Sequence, residues 1–318
     1  MTKVYITDYI ETPDLEKKIL NNNVSNNNKK DAEVLLVWHK IVDKEYLDQF
    51  PKLKTLIRYG VGCDNIDIAE VKKRKLIMCN TPDYGIDEVS DTTISFLLAL
   101  TRGIVRYNND SKYFSNNTWQ ENTYQEIRRS KDMTLGVVGA GRIGGSVILK
   151  AKALGFKVFF YDPFIGRGHE KTLGVDRYDD LDDFLKDADI VSINASLTDS
   201  SYEMVDKRFI KKMKDKSYFI NTARGKIIKD LDIFIKPIKD GKILGVGLDV
   251  LPVEPPLDSG IINSWKNNER WLGNKLLINP HSGYYSQQAW QEMRIKAAEN
   301  ALRVLKNKEP FNILIDNK

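Results

Sequence analysis

Apolar positions along the chain fall into two spacings. Short apolar runs at 4–6, 34–38, 55–58 and 76–79 read as strands, and the stretches between them have apolar residues at helical intervals. Alternation of this kind predicts a parallel sheet with helices on both faces. The pattern resumes with a strand at 135–138, a helix at 146–154 and a strand at 156–161. Further strands are predicted at 190–194, 218–221, 243–250 and 276–279, with helices at 207–213 and 228–239. Pro237 is expected to end or kink the last of these helices early, because its ring removes a backbone donor. A long amphipathic helix is predicted over 286–305, and 311–315 reads as one more strand that joins the first set.

A helical pattern over 85–107 leaves the first set of strands, and a polar stretch over 108–133 follows it, carrying Trp119 and Tyr124 without periodicity. Two readings of that stretch are open: a loop, or an arm that packs on a second subunit. The Asn-rich stretch 21–30 is expected to be a mobile surface loop. The two long helices bracket a continuous central block. The simplest organisation places 1–102 and 284–318 in one domain, inserts 103–283 as a nucleotide domain, and sets the active cleft between them.

The strand at 135–138 runs into Gly139-Ala140-Gly141-Arg142-Ile143-Gly144 and then into a helix. Gly139 permits the tight turn, Gly141 lets a pyrophosphate approach the backbone, and Gly144 lets helix and strand pack closely. The N–H groups at the helix start, those of Arg142 and Ile143 among them, and the positive end of its dipole would hold the pyrophosphate. Asp162 ends the next strand, near the spacing of about 20 residues at which an acid binds the ribose hydroxyls. An acid there favours NAD over NADP, whose extra phosphate it repels. The glycines alone are a weak signal, and the strand, helix and acid around them make it specific.

Composition narrows the classes. The chain has 318 residues, enough for two domains with cores of their own. Its 49 basic and 44 acidic residues are interspersed and sum to +5, so no nucleic-acid surface is expected and anionic ligands are mildly favoured. Cys63 and Cys79 have neither metal-ligand spacing nor a disulfide framework, so no metal is expected and a reducing cytoplasm suits them. No apolar run approaches the roughly 18 residues of a membrane span, and the N-terminus does not read as an export signal. A soluble cytoplasmic protein is expected.

With three histidines in the chain, an imidazole acid or base has to be His39, His169 or His281. His39 ends a strand and His169 lies in a polar loop where it is expected to be solvated. His281 follows a strand in Asn279-Pro280-His281-Ser282-Gly283, at the carboxyl end where open α/β sheets place ligands. Arg224 has a similar position after the strand 218–221, suited to binding a carboxylate through two parallel hydrogen bonds, although a surface ion pair is the commoner fate of arginine. Asp249 ends another strand, and Glu254 follows in a loop stiffened by prolines. Arg58-Tyr59-Gly60-Val61-Gly62 is a strand end followed by glycines; it is either an anion-binding set of N–H groups or a tight turn.

The segments RYGVGCDNID, PDYGIDEVSD, LGVVGAGRIGG, GFKVFFYDPF, NTARG, GLDVLPVEPP and NPHSGYYSQQA occur in this order over about 59–305. Together they resemble the NAD-dependent D-2-hydroxyacid dehydrogenases, and within them most resemble the C-terminal-binding protein branch and its prokaryotic relatives. The resemblance implies two doubly wound α/β domains with parallel sheets, a Rossmann NAD-binding domain inserted into a flavodoxin-like substrate domain. It implies Arg224, Glu254 and His281 as the catalytic set. His281 would give a proton to the 2-oxo group while NADH delivers hydride, Glu254 would hydrogen-bond His281, and Arg224 would polarise the carbonyl and orient the carboxylate. Val61 and Gly62 would help to bind that carboxylate, with Arg58 and Tyr284 also at the substrate. Thr222, Ala223 and Asp249 would join the glycine turn at the cofactor, Asp249 through the nicotinamide amide. A homodimer formed through the nucleotide domain is implied, which favours the arm reading of 108–133.

Two departures limit the resemblance. Asn194-Ala195-Ser196 stands where the family commonly has His-x-Pro, which puts the contacts of the cofactor loop in doubt. Tyr284 stands where C-terminal-binding proteins have a tryptophan, so substrate identity does not carry across. The leading expectation is an oxidoreductase interconverting a 2-oxo acid and a D-2-hydroxy acid. An NADH-responsive binding protein with little turnover is the alternative, and Arg58 keeps a formate or phosphite dehydrogenase open.

Overall fold

A computed structural model describes residues 3–115 and 119–316. The chain divides into two compact units, Met1–Gly85 with Tyr285–Lys318, and Ile86–Tyr284. The first unit contains β1 (Val4–Ile6), β2 (Val24–Ser25), β3 (Val34–Val37), β4 (Thr55–Arg58) and β5 (Ile77–Cys79). The second contains β6 (Thr134–Val138), β7 (Lys157–Tyr161), β8 (Asp176–Tyr178), β9 (Ile190–Ile193), β10 (Ser217–Asn221), β11 (Ile243–Leu248) and β12 (Leu276–Ile278). Near the C-terminus β13 (Ile313–Ile315) returns to the first unit.

The first sheet has the order β13-β5-β4-β3-β1-β2, parallel except for β13, which runs antiparallel to β5. All four residues of β3, Val-Leu-Leu-Val, are buried, as expected of a parallel strand covered on both faces. The Asn-rich stretch is not a plain loop. Asn21–Asn23 form a 3₁₀ turn, and β2 pairs Val24 with Val4 at the edge of the sheet. One buried valine among asparagines is enough to add an edge strand, and it leaves no apolar run to detect.

The second sheet is wholly parallel, with the order β12-β11-β10-β9-β6-β7-β8. Strand alternation divides its side chains between two cores. Leu135, Val137, Tyr218 and Ile220 pack with Phe96, Leu100 and Val147 on one face, while Val138, Val191, Phe219 and Val246 pack with Phe184, Phe209 and Phe234 on the other.

The helical pattern at 85–107 forms two helices, Ile86–Thr101 and Ile104–Ser111, separated at Gly103, whose φ of +62° lies in the left-handed region. The first of these belongs to the second unit. The division therefore falls at 85/86 instead of 102/103, and at 284/285 instead of 283/284. Phe96 and Leu100 lie so close to the strand β11 that a Cβ on Gly247 or Gly245 would sit 2.9 or 2.8 Å from them. Pro237 neither ends nor kinks its helix. It sits in the first turn of Ile235–Lys239, behind a 3₁₀ turn over Leu231–Phe234, where a missing N–H costs little.

The polar stretch after Ser111 folds back on its own helix. Arg106 pairs with Glu126 at 2.6 Å with its guanidinium 3.6 Å from the centre of the Tyr124 ring, and the Tyr107 hydroxyl donates to the Glu121 carbonyl at 2.6 Å. Tyr113, Phe114 and Trp119 are exposed. Part of this stretch, 116–118, lies outside the described residues. Among the described residues, no helix is long and apolar enough to cross a membrane, and no group of three or more His, Cys, Asp or Glu residues is placed to hold a metal.

Candidate active site

Three strand ends of the second unit converge on His281. Its N–H donates to the Asp249 carbonyl at 2.8 Å, and its φ of +53° lies in the left-handed region that only a few per cent of non-glycine residues enter. Asp249 holds this turn with its carboxylate as well, accepting from the N–H groups of Ser282 and Gly283 at 3.0 Å each. Burial pushes the Asp249 carboxyl above its ordinary value, and the two N–H donors and the His281 ring oppose that rise. The residue that the resemblance assigned to the nicotinamide amide is thus 2% exposed and bound to the turn that presents His281.

Glu254 completes the pair. Its Oε1 accepts from the Leu251 N–H at 2.8 Å, and its Oε2 meets His281 Nδ1 at 2.7 Å. Burial raises the Glu254 carboxyl, but the hydrogen bond and charge of His281, the Leu251 N–H and the charge of Arg224 outweigh it. The carboxyl rests below the usual glutamate value.

Arg224 reaches the same place because Asn221 and Gly225 shape its loop. Asn221 is fully buried, accepts from the Ala223 N–H and donates to the Arg224 carbonyl, both at 3.0 Å. Sequence reasoning passed over this asparagine; its place before Thr-Ala-Arg-Gly at a strand end was the available signal. A Cβ on Gly225 would lie 1.9 Å from the Leu251 carbonyl carbon, so the Arg224 loop and the Glu254 loop touch backbone to backbone. Gly225→Ala is therefore expected to destabilise the protein by about 1–3 kcal/mol or more, read as a lowered unfolding midpoint. Tyr284 lies edge-on to His281, ring centres 6.3 Å apart.

The glycine turn is built as the spacing predicted. A Cβ on Gly139 would lie 2.7 Å from the Ala195 backbone, and one on Gly144 would lie 1.9 Å from the Gly139 carbonyl oxygen. A Cβ on Gly141 would meet nothing within 4 Å, and Gly141 caps the helix Arg142–Ala153 without a side-chain hydrogen bond. Open space before a helix start, beside a buried Asn194 Nδ2 with no partner among the described residues, fits a dinucleotide's phosphates. Asp162 is 9% exposed and joins the turn to its own strand, accepting from the N–H groups of Ala140 at 2.9 Å, Phe164 at 2.9 Å and Ile165 at 3.2 Å. Its oxygens keep further lone pairs for a hydroxyl. Thr222 meets the Thr93 hydroxyl at 2.7 Å. His169 is not simply solvated, since its Nε2 lies 3.0 Å from the Ala140 carbonyl oxygen and helps to hold the turn.

The Arg58–Gly62 loop lies in the first unit. Arg58 donates to the carbonyls of Val37 and Tyr59, which ties its guanidinium to the backbone. The loop is braced from β5: Asn80 donates to the Val61 carbonyl at 2.8 Å, and the Thr81 hydroxyl donates to the Arg58 carbonyl at 2.6 Å and accepts from the Gly60 N–H at 2.9 Å. The positive φ of Gly60, +116°, makes this turn possible.

Comparison with known proteins places these features in a family. The family described as D-isomer specific 2-hydroxyacid dehydrogenase, NAD binding domain, matches residues 94–283, more than half of the chain. A glyoxylate reductase of Thermococcus litoralis is 34% identical over 290 residues, covering 89% of this chain and 83% of its own. A glyoxylate reductase of Korarchaeum cryptofilum is 33% identical, covering 89% and 82%. The structure of Aquifex aeolicus D-lactate dehydrogenase, complexed with NAD and lactic acid, superposes with a TM-score of 0.81 at 28% identity and 96% coverage of both chains.

Proposed function

Because the chain belongs to the D-isomer specific 2-hydroxyacid dehydrogenase family and is an NAD-dependent oxidoreductase, we propose that it interconverts a 2-oxo acid and a D-2-hydroxy acid with Arg224, Glu254 and His281 at the reacting group. The observation that carries this reading is the 2.7 Å contact of His281 Nδ1 with Glu254 in a loop pressed against that of Arg224. With Nδ1 engaged, Nε2 is the atom that gives the proton to the carbonyl oxygen. The glycine turn, the start of the helix Arg142–Ala153 and Asp162 would hold NADH, which would supply the hydride for the carbonyl carbon. Arg224 orients the substrate carboxylate and polarises the carbonyl, the Val61 and Gly62 N–H groups bind the carboxylate, and Glu254 steadies the charged imidazole.

NAD preference over NADP is supported by the Asp162 charge beside the turn. A homodimer is supported by the exposed aromatic residues Tyr113, Phe114 and Trp119 after the helix Ile104–Ser111, and a cytoplasmic place by Cys63 and Cys79, which form no disulfide.

The test is NADH consumption by the purified protein with glyoxylate, pyruvate, hydroxypyruvate, and branched and aromatic 2-oxo acids, beside direct titration of NADH and NADPH. Turnover with at least one acid is expected, with tighter binding of NADH than NADPH. Tight NADH binding without turnover across the panel would replace the enzymatic reading with that of an NADH-responsive binding protein.

A further inference from the structure

Resting on the NAD preference of the preceding reading, we propose that Asp179 is a further specificity-determining residue for the cofactor. It engages Arg167 and Arg177, two guanidiniums beside Asp162 that would otherwise receive the 2′-phosphate of NADP.

The loops after β7 and β8 carry opposed signals. An acid at the end of the second strand of a dinucleotide site binds the ribose hydroxyls of NAD, whereas an arginine nearby accommodates the 2′-phosphate of NADP. Both kinds of side chain are present. β7 and β8 are parallel neighbours at one edge of the second sheet, with Tyr161 paired to Tyr178, so Asp162 and Asp179 follow side by side where the two strands end. Arg177 links them. Its Nη2 donates to the Asp162 carbonyl at 3.0 Å and its Nη1 to the Ile165 carbonyl at 2.8 Å, and its Nε lies 3.3 Å from Asp179 Oδ1. Arg167 reaches the same acid, with Nη2 2.9 Å from Asp179 Oδ2.

Asp162 by itself is a weak barrier to a phosphate. The N–H groups of Ala140, Phe164 and Ile165 occupy three of the roughly four lone-pair sites of its carboxylate and offset its charge. Among the four side chains Asp162, Arg167, Arg177 and Asp179, the two guanidiniums are balanced only while Asp179 is charged. Arg177 is fixed, 11% exposed and bound to two backbone carbonyls. Arg167 has room to move, since it is 77% exposed and stands between Gly166 and Gly168, where an added Cβ would meet nothing within 4 Å. Without the carboxylate at 179, one fixed and one adjustable guanidinium are left at the ribose end of the site, a set suited to a phosphate dianion.

The test is calorimetric titration of NADH and NADPH into the unaltered protein, Asp179→Asn, and the double variant Asp179→Asn with Arg167→Ala. Asp179 is 58% exposed and exposed ion pairs add little to stability, so the variants fold. Asp179→Asn is expected to bind NADPH about tenfold more tightly, the scale of one charge-assisted hydrogen bond, while NADH, which has no 2′-phosphate, stays within about twofold. The gain shrinks at high salt, and Arg167→Ala removes most of it. Damage to the fold would weaken both dinucleotides and cannot produce a gain confined to one. An unaltered NADPH-to-NADH ratio in Asp179→Asn, binding of neither dinucleotide by that variant, or a gain that survives Arg167→Ala in full, overturns the inference. Equal binding of the two dinucleotides by the unaltered protein refutes the NAD preference by itself, and the change of ratio in Asp179→Asn still decides the role of Asp179.

Discussion

His281→Ala lowers kcat by about 10²–10⁴-fold, the range of a positioned proton donor, and leaves NADH titration close to that of the unaltered protein. The expectation follows from the second unit's geometry. Glu254 occupies Nδ1 at 2.7 Å, which leaves Nε2 for the substrate oxygen. The left-handed backbone at 281 complicates an alanine, which tolerates φ +53° poorly. His281→Asn is the companion variant, since asparagine enters that region readily and has no proton to donate near neutral pH. Equal loss in both variants assigns the effect to the missing imidazole; recovery in the asparagine variant would assign it to backbone strain. The pair also fixes a pH dependence. The Glu254 carboxyl lies below its ordinary value in the folded protein, so the stabilisation it draws from His281 and Arg224 is complete above the unfolded glutamate value and is lost as pH falls through the folded one. The part of the acid limb of kcat/KM that Glu254 causes is therefore shifted below the ordinary glutamate value, and Glu254→Gln removes it. An acid limb that persists in Glu254→Gln would separate it from this carboxylate.

Arg294→Met destabilises the first unit by about 3–5 kcal/mol, the cost of leaving a buried charge without its partner. Arg294 joins the C-terminal helix to the helix Asp14–Leu20 through Glu16, with Nε 2.9 Å from Oε1 and Nη2 2.6 Å from Oε2. Glu16 is 0% exposed, so water cannot replace the guanidinium. The Tyr59 hydroxyl adds a third bond to Glu16 at 3.0 Å, and burial pushes its pKa well up, which keeps it a neutral donor. Tyr59 adjoins the Gly60–Gly62 turn, so loosening this network also loosens the loop assigned to the substrate carboxylate. The measurement is urea unfolding of Arg294→Met, Glu16→Met and the double variant. The double variant should recover most of the loss, short of the roughly 1–3 kcal/mol of an orphaned Tyr59 hydroxyl. Additive losses would mean that the two side chains act separately and that the pair is not the unit of stability.

Much of the candidate site was legible because its chemistry is local. Glycines at 139, 141 and 144 keep a fixed register in the turn, Gly144 against the Gly139 carbonyl, although the close neighbour of Gly139 is the distant Ala195 backbone, and His281, Arg224 and Glu254 each follow a strand whose apolar run marks its end. The roles of the two aspartates were less legible. Asp162 and Asp249 stand at the positions expected of cofactor ligands, yet their carboxylates hold backbone N–H groups of Ala140 and of Ser282 and Gly283, donors that no spacing rule identifies.

The sequence by itself determined the α/β class, the dinucleotide turn and the family, because buried parallel strands demand continuous apolar runs and a phosphate-binding turn demands glycines in fixed register. Only the tertiary structure decided that the helix Ile86–Thr101 belongs to the second unit, through Phe96 and Leu100 meeting glycines of β11. It also decided that Val24 closes a sheet edge and that Tyr9, Trp38 and Trp290 make one aromatic surface. These features depend on which distant segments become neighbours, and that is set by the packing of the whole unit.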